Sequence, residues 1–279
     1  MSDLKALKQQ SRQQVAVPTV VLFLGVVLLW TGSTALYLAE IGSAIPAFFV
    51  NTLAAYVGFT VLHEAAHGNI RGRSRYSRRW EVVMGWVSGA FLTVPFSVFR
   101  HLHLTHHAHT NHPHKDPDYW VASGRWWVVT LKSMSIILAY YWHFAQTLSG
   151  QPTTREKRYR MQSIAGFAWV YLVTFWGIGI GQGLAVFVLW WGPALLASGF
   201  LALGFNWLPH HAHQHQEKYR HTRIFCFAGL KGHVLSVILL AQNYHLIHHL
   251  HPGLPFYQYR RVFGLLRPEL EQAGSCLIE

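Results

Sequence analysis

The sequence predicts an all-α integral membrane protein with four transmembrane helices, arranged as two hairpins. Three observations predict this fold class. Of the 279 residues, 51% are hydrophobic and only 12% are charged, whereas soluble globular domains carry about 25% Asp, Glu, Lys and Arg. Apolar stretches of roughly 20 residues, long enough to cross a hydrocarbon core, recur along the chain. Basic residues cluster between these stretches, as they do in cytoplasmic loops.

The first hairpin is predicted at Val17–Leu38 and at residues 44–62, with a polar break at residues 40–43. Basic residues precede the first span and follow the second. The positive-inside rule therefore places both ends of the hairpin in the cytoplasm. These basic residues are Lys5, Lys8 and Arg12 before the hairpin, and Arg71, Arg73, Arg75, Arg78 and Arg79 after it.

The second hairpin is predicted at residues 163–182 and 184–207, again after a basic stretch that contains Arg155 and Arg160. Two further apolar segments, residues 82–98 and 126–148, have cytoplasmic markers on both sides. A single crossing would not return the chain to the cytoplasm, so we expect interfacial or shallow re-entrant helices there. The alternative is one additional hairpin made by the two segments together.

The chain is expected to form one domain over residues 1–279, because it contains no internal repeat, low-complexity tract or long linker. Within it we expect a cytoplasmic N-terminal segment (1–16), a core (17–259) and a C-terminal tail (260–279). The net charge of +12 fits a basic cytoplasmic face, and 15% aromatic residues argue against disorder and nucleic-acid binding. Cys226 and Cys276 are too few for a disulfide framework or a cysteine zinc site.

Histidine is unusually abundant, with 20 residues. The first cluster, His63-Glu-Ala-Ala-His67, places two imidazoles at positions i and i+4, on one face of a helix. Taken alone it is ambiguous, because HExxH is also the zinc metalloprotease motif, in which Glu64 would be the general base.

Two later clusters share the spacing HxxHH, and a single histidine follows the last predicted span. This spacing lets the histidines share one helical face or reach two adjacent metals. One zinc takes about four protein ligands, so nine candidate imidazoles predict two metal ions. The candidates are His63, His67, His103, His106, His107, His210, His245, His248 and His249. His101, His109, His112 and His114 are surplus to the pattern.

Two other protein classes fit the histidines less well. A membrane zinc protease built on the first cluster leaves both HxxHH clusters unexplained. A histidine-rich metal transporter or store would place ionisable groups in the middle of its spans, whereas these clusters stand at predicted cytoplasmic ends.

The three boxes, in this order, resemble those of the membrane fatty acid desaturase and hydroxylase superfamily. Three further stretches are similar to a branch that includes bacterial carotenoid ring hydroxylases. They are Asp116-Pro-Asp118, Leu208-Pro-His210 and Gln242-Asn-Tyr-His-Leu-Ile-His-His-Leu-His-Pro252.

The resemblance implies that the nine histidines bind two irons and that O2 is the co-substrate, with no catalytic side chain beyond the metal centre. It also implies that Asn206 lies near one iron and that Glu64 supports a ligand rather than acting as a base. Asp116 and Asp118 either fix the tautomers of ligand histidines or form a turn in a loop. The implied substrate is the acyl chain of a lipid, and the alternative is a carotenoid ring such as that of β-carotene. Desaturation and hydroxylation both remain open.

The resemblance further implies a separate electron donor of the ferredoxin, rubredoxin or cytochrome type, since the chain has no cysteine cluster or dinucleotide-binding loop. The expected location is the bacterial inner membrane, with the active site facing the cytoplasm. The basic residues at 71–79 are expected to contact lipid headgroups. Their alternative role is to bind an acidic electron carrier.

Overall fold

The computed structural model describes residues 2–149, 151–211 and 213–279, and the side chain of Arg75 in the basic segment lies outside this description. Helices make up most of the described chain. Its helices are α1 Ser2–Gln13, α2 Val17–Leu38, α3 Ala44–His67, α4 Arg75–Phe91, α5 Phe96–His109, α6 Trp126–Met134, α7 Ile136–Thr147, α8 Thr154–Gly179, α9 Gly183–Trp207, α10 Gly229–Ile238, α11 His245–Leu250 and α12 Tyr259–Gln272. Short 3-10 turns occur at Pro117–Val121, Gln242–Tyr244 and Phe256–Gln258.

Four helices are long and apolar enough to cross a membrane, and they are the four that the sequence predicts: α2, α3, α8 and α9. The helix α8 begins at Thr154, earlier than predicted. The reason is a capping box, in which Thr153 and Glu156 satisfy each other's backbone N–H groups. The helix α3 continues past residue 62 through the first histidine box. It ends where Gly68 takes a left-handed conformation with φ of 76°.

The two segments predicted to be interfacial or re-entrant are each divided. The helices α4 and α5 meet at an angle of 94° across the turn at residues 92–95. Pro95 closes this turn because its ring cannot continue α4. The second segment is split at Ser135 into α6 and α7. The region 82–98 is therefore not one helix, and α5 carries the second histidine box.

The central helices are α3 and α9, whose most apolar windows are 50% and 56% buried, whereas α2 and α8 are peripheral at 11% and 17%. Large apolar side chains on the peripheral helices are exposed, for example Leu28 at 71% and Leu172 at 70%. The main core lies between α3, α4, α5, α7 and α9. This arrangement leaves a broad apolar outer surface.

A second core forms on the side of the molecule where the histidine boxes lie. It joins α1, α11 and α12 through Leu7, Ile247, Val262 and Leu270. A two-stranded parallel sheet closes it, pairing β1 Arg223–Phe225 with β2 Cys276–Ile278. Residues 260–279, expected to be a tail, thus form a helix and a strand packed against the third box.

Asn69 ties the two cores together just beyond the first box. Its side-chain amide donates to the carbonyls of Pro252, at 2.9 Å, and Leu254, at 3.2 Å.

We expect Asn69→Ala to lower the free energy of unfolding by about 1–3 kcal/mol, because two carbonyls lose their donor in a buried setting. Thermal unfolding in detergent measures this, with the exposed Gln9→Ala as control. Equal melting temperatures for the two variants would contradict the assignment.

Candidate metal centre

The candidate metal centre forms where four elements end on one side of the helical bundle. The C-terminal turn of α3 brings the first box, and the last two turns of α5 bring the second. The short helix α11 brings the third box, and His210 follows the end of α9. All nine predicted ligands meet there, and they form two neighbouring groups.

The larger group, called site A, contains five imidazoles whose candidate ligand nitrogens lie within 4.8 Å of one another. The Nε2 atoms of His67 and His103 are 2.8 Å apart, and those of His103 and His107 are 3.2 Å apart. The Nε2 atom of His248 lies 2.8 Å from that of His107 and 3.1 Å from that of His63. Site A therefore takes its histidines from all three boxes.

The smaller group, called site B, contains four imidazoles. Its Nε2 atoms are separated by 3.0 Å between His210 and His245, and by 3.2 Å between His245 and His249. The Nε2 atoms of His106 and His249 are 3.4 Å apart. Sites A and B are adjacent, since the ring centroids of His107 and His249 are 4.3 Å apart.

These nitrogen separations are those of ligands around a metal ion. Imidazole nitrogens bind first-row metals at about 2.0–2.1 Å. Two such ligands are therefore about 3.0 Å apart at a right angle and about 3.4 Å apart at a tetrahedral angle. Unliganded imidazoles would have no reason to converge through the same nitrogen. The geometry fits one ion in each site.

The HxxHH spacing distributes its histidines between the two sites in a regular way. In the second box, His103 and His107 belong to site A and His106 to site B. In the third box the assignment is reversed, with His245 and His249 in site B and His248 in site A. Positions i and i+4 share a face, whereas i+3 lies to the other side of it. Each HxxHH box therefore supplies ligands to both sites.

Oxygen acceptors hold the outer Nδ1 atoms of most of these histidines. The outer nitrogens lie 2.8 Å from the Asp116 carboxylate for His106, and 3.0 Å from the Gln242 side-chain oxygen for His245. For His248 the partner is the Tyr259 hydroxyl at 2.9 Å. An acceptor at Nδ1 keeps the proton on that atom, so the Nε2 lone pair faces the metal position.

Burial acts in the same direction. It lowers the pKa of His210, His245, His248 and His249 well below the usual value, and neighbouring imidazoles lower it further. The rings are therefore neutral, which is the form that binds metal ions.

Glu64 is completely buried beside site A. Its Oε1 atom lies 3.6 Å from Nδ1 of His63, and within the described chain only weak hydrogen bonds, from Asn69 and the backbone of Phe256, approach the carboxylate. A buried carboxylate without a full positive charge beside it is costly. A dication in site A would supply the missing positive charge, so the fit of Glu64 to its surroundings also indicates a metal. Glu64 lies behind a ligand rather than facing an open position.

Asp116 and Asp118 form a buried network behind site B. Asp116 also accepts from the backbone N–H groups of Asn111 and Asp118, at 2.7 and 2.9 Å. Asp118 lies 3.7 Å from the outer nitrogen of His106 and accepts from the Tyr140 hydroxyl at 2.7 Å. Burial raises the pKa of Asp118 to about 6, against the opposing effect of His106.

Asn206 lies in a π-helical turn, Ala202–Trp207, at the end of α9. Such turns often occur at functional sites because the extra residue re-aims side chains. Asn206 lines a narrow apolar cavity together with Tyr140, Phe59 and Phe99. The rings of Phe59 and Phe99 pack on His63 and His103, at centroid distances of 6.0 and 5.2 Å. The cavity therefore lies beside site A, and these two rings separate it from the imidazoles.

The four surplus histidines belong to neither metal group in the described chain. His101 packs on Tyr159, at a centroid distance of 4.4 Å. The others are exposed or half-buried on and beyond the last turn of α5.

Sequence reasoning missed four residues that support ligands, namely Tyr259, Gln242, Thr110 and Asn111. Only Gln242 had a local signal, three residues before His245 in a motif already noted.

Sequence reasoning also missed two histidines that flank site B. The ring of His221 lies 5.0 Å from that of His249, and the ring of His213 stacks on His210 at 5.9 Å. Burial lowers the pKa of each to about 4. Their place in the connection after α9, without motif spacing, gave no indication of this proximity.

Comparison with known proteins agrees with this geometry. The fatty acid desaturase family profile matches residues 39–277. The chain is 28% identical to dihydrorhizobitoxine desaturase of Bradyrhizobium elkanii, over 71% of this chain and 60% of that protein. It is 26% identical to β-carotene ketolase of Paracoccus sp. (strain PC1), over 73% of this chain and 72% of the ketolase. The chain thus matches less than two thirds of the length of the first of these relatives.

The matched region includes all nine convergent histidines and the carboxylates that support them. The resemblance seen in the three boxes is therefore confirmed over most of the chain, and this protein belongs to the fatty acid desaturase family.

Proposed function

We propose that this protein is a membrane di-iron oxidoreductase that uses O2 and external electrons to desaturate or hydroxylate the acyl chain of a lipid. The observation that carries the proposal is the pair of adjacent imidazole sites beside an apolar cavity. Two oxidisable metals beside an apolar space are suited to attack on a C–H bond that no acid or base can activate.

The ligand set favours iron over zinc. Neutral imidazole accepts both metals, but a catalytic zinc has about three protein ligands and an open position. Site A offers five imidazoles, and a second site adjoins it. A zinc protease needs only one metal ion, so it would leave this second site unexplained. The position of Glu64, behind His63, also does not suit a base that must reach a metal-bound water.

The arrangement of basic residues supports a membrane location with the centre facing the cytoplasm. The backbone N–H of Ala16 donates to the carbonyl of Ile70, at 3.0 Å. This contact brings the N-terminal basic segment and the basic residues at 71–79 to one side of the α2–α3 hairpin. The histidine boxes lie on that side too. The positive-inside rule assigns it to the cytoplasm, and the exposed apolar faces of α2 and α8 then face lipid.

A bound di-iron centre would pass electrons from the donor to O2 and would supply the oxidising power that removes hydrogen from the chain. Desaturation removes two hydrogen atoms from the chain, and two further electrons and two protons complete the reduction of O2 to two waters. Hydroxylation also consumes two electrons and two protons, and it places one oxygen atom in the product and the other in water. The protein orients the chain in the cavity, excludes water through Phe59 and Phe99, and holds the ligand protons at Asp116, Gln242 and Tyr259.

A separate electron donor is part of the proposal, because the two cysteines, Cys226 and Cys276, cannot hold a redox cluster. A ferredoxin, rubredoxin or cytochrome would approach on the cytoplasmic side. Arg78 and Arg79, exposed on α4, and Arg73, exposed just before it, offer positive charge there.

The second candidate function is oxidation of a carotenoid ring. The relative named β-carotene ketolase favours it, and an apolar cavity would accept an isoprenoid chain as well as an acyl chain. The two functions share the metal centre and the electron supply, and they differ only in the substrate.

The metal sites predict selective losses on ligand replacement. We expect His248→Ala to empty site A and His210→Ala to empty site B, so each variant should retain at most one iron per chain. His114→Ala, which removes an exposed histidine outside both sites, should retain two. Elemental mass spectrometry of purified protein measures the iron content. Two irons in either of the first two variants would remove that residue from the ligand set.

The Asp116 carboxylate predicts a graded effect at site B. We expect Asp116→Asn to lower the affinity of site B for its metal by about 10–100-fold, the range seen when outer partners of ligands are removed. Competition with a chelator measures this loss, and unchanged thermal unfolding of the metal-free protein would show that the fold persists. Asp3→Asn, on the exposed face of α1, is the control. Equal metal retention by both variants would contradict the role of Asp116.

The substrate class is tested in a bacterium that accumulates β-carotene and also expresses a ferredoxin with its reductase. We expect new unsaturated or hydroxylated fatty acids by gas chromatography and mass spectrometry, and none with His106→Ala. Polar carotenoids with unchanged fatty acids would instead establish the second candidate. Neither product from iron-loaded protein would overturn the proposed function.

A further inference from the structure

The turn at residues 92–95 separates two apolar spaces. On its inner side lies the cavity beside site A, lined by Ile137 and Leu201 among others. On its outer side lies an open cleft of about 550 Å³ between α4 and α8, lined by Trp86 and Ala165 among others. Val94 lines both spaces. Val94 is therefore part of the wall between the outer cleft and the cavity.

The outer cleft has the character of a lipid-facing surface. Gln162 is the one polar side chain among its lining residues. On α8 the cleft is lined by Trp169, whose side chain is itself 51% exposed. In a membrane this surface contacts acyl chains, so an apolar molecule dissolved in the bilayer reaches the cleft without crossing water.

The turn itself is held in an unusual conformation. Thr93 has a φ of 57°, a left-handed value that is unfavourable for a β-branched residue. The Tyr141 hydroxyl donates to the Thr93 carbonyl at 2.6 Å, which fixes the turn against α7. The backbone carbonyl of Val94 also lies 2.5 Å from the position that a Cβ on Gly89 would occupy. Close packing on α4 therefore requires glycine there.

The inner cavity is narrow, at about 40 Å³, which is little more than the volume of one water molecule in the liquid, about 30 Å³. A substrate chain must therefore widen it. The strained turn that carries Val94 is the wall whose displacement would join the two spaces. A second apolar cleft lies between α3 and α9, but it shares no lining residue with the cavity.

We propose that the apolar chain of the substrate leaves the bilayer through the cleft between α4 and α8 and passes Val94 into the cavity at site A. Displacement of the turn at residues 92–95 opens this path. The inference rests on the proposed function for the nature of the substrate. It adds the direction of approach, which is lateral from the membrane rather than from the cytoplasm.

The probe is palmitic acid with a terminal diazirine, added to iron-loaded, full-length protein in phosphatidylcholine vesicles. After illumination, mass spectrometry locates the cross-links. We expect labels near Ala165 in the cleft and near Ile137 and Leu201 in the cavity. Ala165→Trp places a large side chain in the cleft, from a position that is exposed in the parent protein. It should lower labelling of the cavity at least about fivefold. Tyr141→Phe removes the hydrogen bond to the Thr93 carbonyl and should raise labelling of the cavity.

The matched control is Ala168→Trp, since Ala168 is exposed on the same helix but does not line the cleft. Cavity labelling in this control should stay within about twofold of the parent protein. Undiminished labelling in Ala165→Trp would overturn the proposed path. Product formation without any label in the cavity would also overturn the path and leave the proposed function standing. Labelling through the cleft without product would support the path and contradict the function.

Discussion

Nine imidazoles turn the same nitrogen towards two points, and the rest of the structure depends on this convergence. Bringing nine ring nitrogens to separations of 2.8–3.4 Å has no benefit without a positive charge between them. The bundle holds them by placing helix ends, not helix centres, at one side. Outer acceptors such as Asp116, Gln242 and Tyr259 then set the tautomer of the rings. Helix register and proton position together define the centre.

The two HxxHH boxes explain why the sites are adjacent. Each box supplies a pair at i and i+4 to one site and the i+3 residue to the other, and the two boxes do so in opposite senses. A shift of either helix would therefore disturb both sites together. The second core, in which α12 packs behind α11, fixes the third box against such movement. The C-terminal helix is in this sense part of the metal centre.

Much of this arrangement could be predicted from the sequence, because its signals are local. The four long helices follow from length and charge, and the ligand histidines follow from spacing on a helix. Tyr259 and Asn111 could not be found in this way, since their partners His248 and His210 are supplied by other elements. A re-entrant turn was among the expectations for residues 82–98 and fits the bent pair of α4 and α5, but the left-handed conformation of Thr93 could not be predicted from the apolar run. Tertiary packing decides such features.

The central claim is that two irons occupy adjacent imidazole sites. The most direct test is the metal content of the detergent-purified wild-type protein, expressed with iron and zinc both available and measured by mass spectrometry per polypeptide. The account predicts about two irons per chain, the capacity of two separate sites. About one zinc and no iron would contradict it and would favour a zinc protease built on His63, Glu64 and His67.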